Sequence, residues 1–241
     1  VQSCRVALRA SRSETGGLHQ PCIANDPQII DTWWVSDPCA NLELLALALP
    51  DAELRYLPGF LSPDEAAAAF AALRQAISWE QHRIRIMGRL LDSPRLSCWI
   101  GDPGCAYVYS RTRFEPHPWP EALMGLRAKV SEAAGAAFNS VLANLYRDGR
   151  DAMGWHADDE RELGPEPVIA SLSLGAARRF ALKHRASGER LNLALQPGSL
   201  LIMRGPTQRH WLHALPRTAR PVGERLNLTF RRIVAAQAIR A

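Results

Sequence analysis

The segment Arg225-Leu226-Asn227-Leu228-Thr229-Phe230-Arg231 narrows what this chain can fold into more than any other. Successive side chains of an extended strand point to opposite faces. Arg225, Asn227, Thr229 and Arg231 therefore share one face, and Leu226, Leu228 and Phe230 the other. The apolar face needs a body to pack on. The polar face carries two guanidinium groups and needs water or an anionic ligand, because unpaired charge is costly to bury. A guanidinium fork grips a carboxylate through two parallel hydrogen bonds. The segment reads as an acid-binding wall inside a β structure, or as an edge strand with a solvated face.

Two other clusters favour the wall. In Trp155-His156-Ala157-Asp158-Asp159-Glu160, His156 and Asp158 are two apart and point the same way on extended backbone. In His210-Trp211-Leu212-His213 a distant histidine stands just ahead of the arginine strand. Two histidines and one carboxylate on one side of a metal are the ligand set of non-haem Fe(II) oxygenases, with positions left open for a co-substrate and O2. An isolated H-x-D is a weak signal. H-x-D, a distant His and then R-x-N-x-T-x-R is far more specific, because each part supplies what the others require.

At these residues the chain resembles the AlkB-type Fe(II)- and 2-oxoglutarate-dependent dioxygenases, and among them the subgroup that repairs alkylated nucleic acid. The matching stretches are Asn144-Leu145-Tyr146, His156 to Glu160, Ser171 to Gly175, Gly198 to Leu201, His210 to His213 and Arg225 to Arg231. The resemblance runs from about Leu54 to Ile233 and is densest after Val141. It implies that His156, Asp158 and His213 bind Fe(II) and form the catalytic centre. It implies that Arg225 and Arg231 hold carboxylates of 2-oxoglutarate, with Asn144, Tyr146, Asn227 and Thr229 adding polar contacts. It further implies a nucleotide-recognition lid over about residues 80–115. There Trp99 would stack on a base, and Tyr107 and Arg95 would add substrate contacts, Arg95 to phosphate. Glu160 would read an exocyclic amino group. Met87 would tip a hairpin that probes duplex DNA, where the better-known vertebrate member has an aromatic finger.

The implied reaction is oxidative demethylation of N-alkylated bases such as 1-methyladenine and 3-methylcytosine, in alkylated DNA, single- or double-stranded, and by extension RNA. Fe(II) is the implied cofactor, 2-oxoglutarate and O2 the co-substrates, and formaldehyde the released product. A base inside a duplex must be flipped out, or already be single-stranded, to reach such a site. One alternative is a 2-oxoglutarate-dependent hydroxylase or demethylase acting on a protein, lipid or small molecule. Another is a non-enzymatic nucleic-acid-binding module. The basic clusters favour nucleic acid, and the presence of His156, Asp158, His213 and both arginines favours an enzyme.

The formal charge of +5 and pI near 9.2 are compatible with a polyanionic partner. Basic residues thicken around His82 to Arg89 and at Arg178, Arg179, Lys183 and Arg185, and each cluster taken alone reads as solvated surface. Arg147 and Arg150, like Lys183, are further phosphate candidates. The five cysteines are odd in number and lack C-x-x-C spacing, so neither a disulfide framework nor a zinc site is indicated. A reducing, cytoplasmic setting is expected, nucleoid-associated if the source is bacterial, with the chain a monomer and no membrane partner. No apolar run approaches the roughly 20 residues that span a bilayer.

Along the chain, residues 1–50 read as an irregular extension and residues 51–241 as the dioxygenase domain. Ser62-Pro63-Asp64-Glu65 is a helix start with a capping box, and the alanine-rich run predicts helix to about Ile77. A second helix is predicted from Pro120 to Phe138. Strands are predicted at 141–146, 168–174, 178–184, 190–195, 199–203 and 225–233. The fold class is α+β, mainly β. Two helices in the first half followed by many short strands favour a helix-backed barrel of two sheets. The resemblance makes it a double-stranded β-helix, or jelly roll.

Overall fold

The computed structural model describes residues 45–47, 49–86, 89–109 and 112–234. The chain divides into two units, Val1–Pro38 and Cys39–Ala241, and the first lies outside the described residues. Within the second, the elements begin with β1 (Leu45–Leu47), β2 (Glu53–Leu57), α1 (Pro63–Ala76), β3 (Arg83–Ile86), β4 (Arg89–Asp92) and β5 (Leu96–Gly101). There follow β6 (Tyr107–Tyr109), β7 (Thr112–Phe114), α2 (Glu121–Ala134), β8 (Ser140–Tyr146) and β9 (Met153–His156). The remainder is β10 (Ile169–Gly175), β11 (Arg178–His184), β12 (Arg190–Leu195), β13 (Leu200–Arg204), α3 (Thr207–His210), β14 (Trp211–Leu215) and β15 (Arg225–Arg231).

Seven strands form one sheet in the order β1-β2-β13-β10-β15-β8-β5, and four form a second in the order β12-β11-β14-β9. β3 with β4 and β6 with β7 are separate hairpins. Period-two alternation sorts the large sheet into two cores. Leu172 and Leu174 on β10, Leu200 and Ile202 on β13, and Leu226, Leu228 and Phe230 on β15 join Leu73 of α1 and Leu123 and Val130 of α2 in a helix-facing core. The residues between them, Ile169, Leu201 and Met203, join Phe180, Leu182 and Trp211 of the small sheet in a core between the sheets. This is the helix-backed double-sheet architecture expected of a jelly roll. β15 lies inside the sheet with a neighbour on each side, so the solvated-edge reading of its polar face does not hold.

Local chemistry fixes both long helices. Ser62 N–H donates to Glu65 Oε2 at 2.9 Å, and Glu65 N–H donates to Ser62 Oγ at 3.3 Å, closing the capping box at α1. α2 ends at Ala134, short of the expected Phe138, because Gly135 takes the left-handed φ of 57° that stops a helix. β1 pairs with β2, setting Leu45 against Tyr56, so the sheet begins ahead of the expected boundary at residue 51.

Candidate active site

The polar face of β15 forms one wall of a cavity between the two sheets. Arg225, Asn227, Thr229 and Arg231 line it with Asn144, Tyr146, His156, Asp158 and His213. Its empty space is about 480 Å³, open solvent at the mouth included. Strand register assembles it. On one flank of β15, β8 sets Tyr146 opposite Arg225 and Asn144 opposite Asn227. On the other, β10 sets Ser173 opposite Asn227 and Ser171 opposite Thr229. From the facing sheet, the β9–β14 pair sets His156 directly against His213.

The ligand atoms of His156, Asp158 and His213 all lie within 4.8 Å of one another. The two imidazoles meet edge to face with centroids 4.2 Å apart, and His213 Nε2 is 3.7 Å from Asp158 Oδ2. Small side-chain adjustments close such spacings onto an ion held at about 2.1 Å. His156 Nδ1 is 2.9 Å from the Gly154 carbonyl oxygen. That oxygen can only accept, so Nδ1 carries the proton and Nε2 presents its lone pair. His213 stacks on Phe180, with centroids 5.3 Å apart. Asp158 is held from two sides: its backbone N–H donates to Gln208 Oε1 at 2.9 Å, and Arg231 Nη2 donates to its Oδ1.

Burial dominates the electrostatics. It pushes His213 down to about 3, with His156 pushing the same way, and lowers His156 despite the opposing pull of Asp158. Burial alone would raise the Asp158 carboxyl, but Arg231, His213 and His156 outweigh it and hold the group below the usual carboxylate range. The result is two neutral imidazoles and one carboxylate, the protonation state a metal requires.

Arg225 tests whether an acid fits beside them. Its side chain is fully buried, and its Nη2 donates to Ser173 Oγ and Asn227 Oδ1, each at 2.8 Å. Its Nε and Nη1 have no hydrogen-bond partner. Burial pushes this guanidinium down to about 10, although Tyr146 beneath it favours the charge. Burying a cation with free donors costs on the order of several kcal/mol, which a bound carboxylate offsets. The donor set and these two unpartnered guanidinium nitrogens together fit Fe(II) and 2-oxoglutarate.

Not every expected residue takes its expected place. Trp99 is 4% exposed on β5 and donates its indole N–H to the Cys105 carbonyl at 2.8 Å, so it anchors the sheet and is not presented to a base. Arg95 is 6% exposed and its Nε donates to Asn144 Oδ1 at 2.8 Å, which points it at the cavity wall and away from an external phosphate. Arg178 belongs to no surface cluster: it is buried and donates to the carbonyls of Asp148, Asp151 and Pro216. Arg147 and Arg150 are paired with Asp151 and Asp148. Glu160 is half-buried at the head of a one-turn 3-10 helix, Arg161–Leu163, two residues past Asp158. Met87 lies outside the described residues, as does the side chain of Tyr107, whose backbone belongs to β6.

Four supporting residues were given no role from sequence. Ser171 and Ser173 alternate along β10 beside β15, a period-two signal that could have placed them. Gln208 and Phe180 carry no local signal; only the fold brings them to Asp158 and His213.

A family model defines the class of protein. The 2OG-Fe(II) oxygenase superfamily matches residues 53–231, and the chain belongs to it. Within that class it belongs with the AlkB-type proteins. It is 39% identical over 186 residues to alpha-ketoglutarate-dependent dioxygenase alkB homolog 3 of Bos taurus, covering 73% of this chain and 64% of that protein. It is 40% identical over 181 residues to DNA oxidative demethylase ALKBH2 of Mus musculus, covering 70% of this chain and 76% of that one. The chain thus spans just under two thirds of the cattle relative's length. A solved structure, "The structure of OsALKBH1", shares the fold with a TM-score of 0.57 at 18% identity, covering 79% of this chain and 100% of that chain. Among the described residues no helix is long and apolar enough to cross a membrane.

Proposed function

We propose that this protein is an Fe(II)- and 2-oxoglutarate-dependent dioxygenase that removes N-linked methyl groups from nucleic-acid bases, DNA first. The carrying observation is the convergence of His156, Asp158 and His213 in one cavity with Arg225, whose Nε and Nη1 are buried without a hydrogen-bond partner. The relative named a DNA oxidative demethylase supports the choice of substrate. The bound ion with its co-substrate would supply the oxidising chemistry that inserts oxygen into a methyl C–H bond; the hydroxylated methyl then leaves as formaldehyde.

The chain's own residues bind, orient and exclude water. His156, Asp158 and His213 would hold the ion. The Gly154 carbonyl fixes the His156 tautomer, and Phe180 fixes the His213 ring. Arg225 takes the remote carboxylate, with Tyr146 and Asn227 beside it. Arg231 pairs with Asp158 and would hold a carboxylate of the bound acid. Leu142, Met203 and Leu215 line the cavity with apolar surface.

A panel of oligonucleotides with single 1-methyladenine or 3-methylcytosine lesions, in single- and double-stranded DNA and in RNA, tests the reading with Fe(II) and 2-oxoglutarate present. Formaldehyde release from at least one DNA member is expected. 2-Oxoglutarate turnover with no release from any oligonucleotide would contradict the substrate and favour a protein, lipid or small-molecule target.

A further inference from the structure

Outside the cavity, the described residues bring together a second set of two histidines and one carboxylate. The ligand atoms of Asp51, His184 and His210 all lie within 4.8 Å of one another. Asp51 sits in the turn ahead of β2, His184 ends β11 and His210 ends α3. His184 is 6% exposed, and its Nε2 is buried without a hydrogen-bond partner. That nitrogen is 3.4 Å from Asp51 Oδ2. The separation is too long for a charge-assisted hydrogen bond of about 2.7–2.9 Å. It is close to the distance of about 3.3 Å between two donors on a tetrahedral ion with bonds of about 2.0–2.1 Å.

The other ring nitrogen, Nδ1, accepts the Ser187 backbone N–H at 3.0 Å and lies 2.9 Å from the Ser187 hydroxyl. The hydroxyl can donate or accept. Because the backbone N–H is a donor, the neutral ring carries its proton on Nε2; binding an ion there would shift that proton to Nδ1, where the Ser187 hydroxyl can accept it. An outer partner of this kind is what orients a metal-binding histidine.

We propose that Asp51, His184 and His210 form a second metal site for a divalent ion of the zinc class, with water as fourth ligand. Its task is structural. α3 also carries Gln208, which accepts the Asp158 backbone N–H, and Arg185 N–H donates to the His210 carbonyl at 2.7 Å. An ion joining His210 to β11 and to the turn before β2 braces the segment that orients Asp158. The proposal stands apart from the identity of the oxidised substrate.

Chelator-stripped full chain titrated with Co(II) tests it. Two equivalents are expected, one with the strong visible absorption of a four-coordinate ion. Asp51→Asn and His210→Ala should each remove the four-coordinate equivalent and keep the other, whereas His213→Ala should do the reverse. Asn tolerates the left-handed φ of 53° at residue 51, and the turn is exposed, so the Asp51→Asn chain keeps its fold. One equivalent in the wild type, or the four-coordinate signal retained in Asp51→Asn, would overturn the proposal.

Discussion

A guanidinium withdrawn from water with Nε and Nη1 unbonded makes Arg225 a liability to the empty protein and an asset to the loaded one. Arg225→Met keeps most of the volume and removes the buried charge. Replacing buried ionic groups by apolar ones is often stabilising by about 1–4 kcal/mol. The expected outcome in urea melts is a metal-free variant at least as stable as the wild type, with 2-oxoglutarate binding lost in calorimetry. A destabilised variant that still bound the acid would count against the assigned role. His213 sets a pH dependence by the same logic of burial. Its folded pKa, about 3, lies below the ordinary value of 6.5, so between them the unfolded chain binds a proton that the folded chain refuses. Stability from this group is complete above pH 6.5 and is lost as pH falls towards 3, by about 1.4 kcal/mol per pH unit at most. Metal-free His213→Gln should show a shallower loss between pH 6.5 and 5 than the wild type in the same melts.

Strands of two kinds explain what could be read in advance. β15 and β10 alternate cleanly, one face apolar against the helices and one polar in the cavity, so their extents and faces were legible. β14 was not assigned, because Trp211, His213 and Leu215 face in while Leu212 and Ala214 between them are also apolar or small, leaving no period of two. β5 is buried almost throughout, so Trp99 on it and Arg95 just ahead of it are buried where the resemblance implied a substrate lid. The motifs and the resemblance they carry singled out the candidate site residues, while partners without a local signal, such as Phe180 and Gln208, needed the fold. At the end of β10, Gly175 has φ 77°, and an added Cβ would lie 2.4 Å from the Glu224 carbonyl oxygen and 2.8 Å from Phe70. Gly175→Ala should therefore lower stability by more than about 1 kcal/mol, since neither backbone nor ring can yield cheaply. An unchanged urea midpoint would show that the turn into β11 relaxes freely.

The molecule as a whole divides its labour between sheets. The large sheet, backed by α1 and α2, supplies the arginine-bearing wall of the cavity, and the small sheet supplies both histidines in register. An ion would join the histidines to Asp158 across the cavity, and the acid would meet the ion and the unpartnered donors of Arg225. Binding of 2-oxoglutarate should therefore depend on metal in a way that neither sheet alone could produce. The direct measurement is anaerobic calorimetry of 2-oxoglutarate binding to the stripped chain, with and without Fe(II). The expected result is one acid per chain in the presence of Fe(II), weakened at least tenfold without it and in Asp158→Ala. Binding of equal strength with and without the ion, or no binding under either condition, would contradict the account.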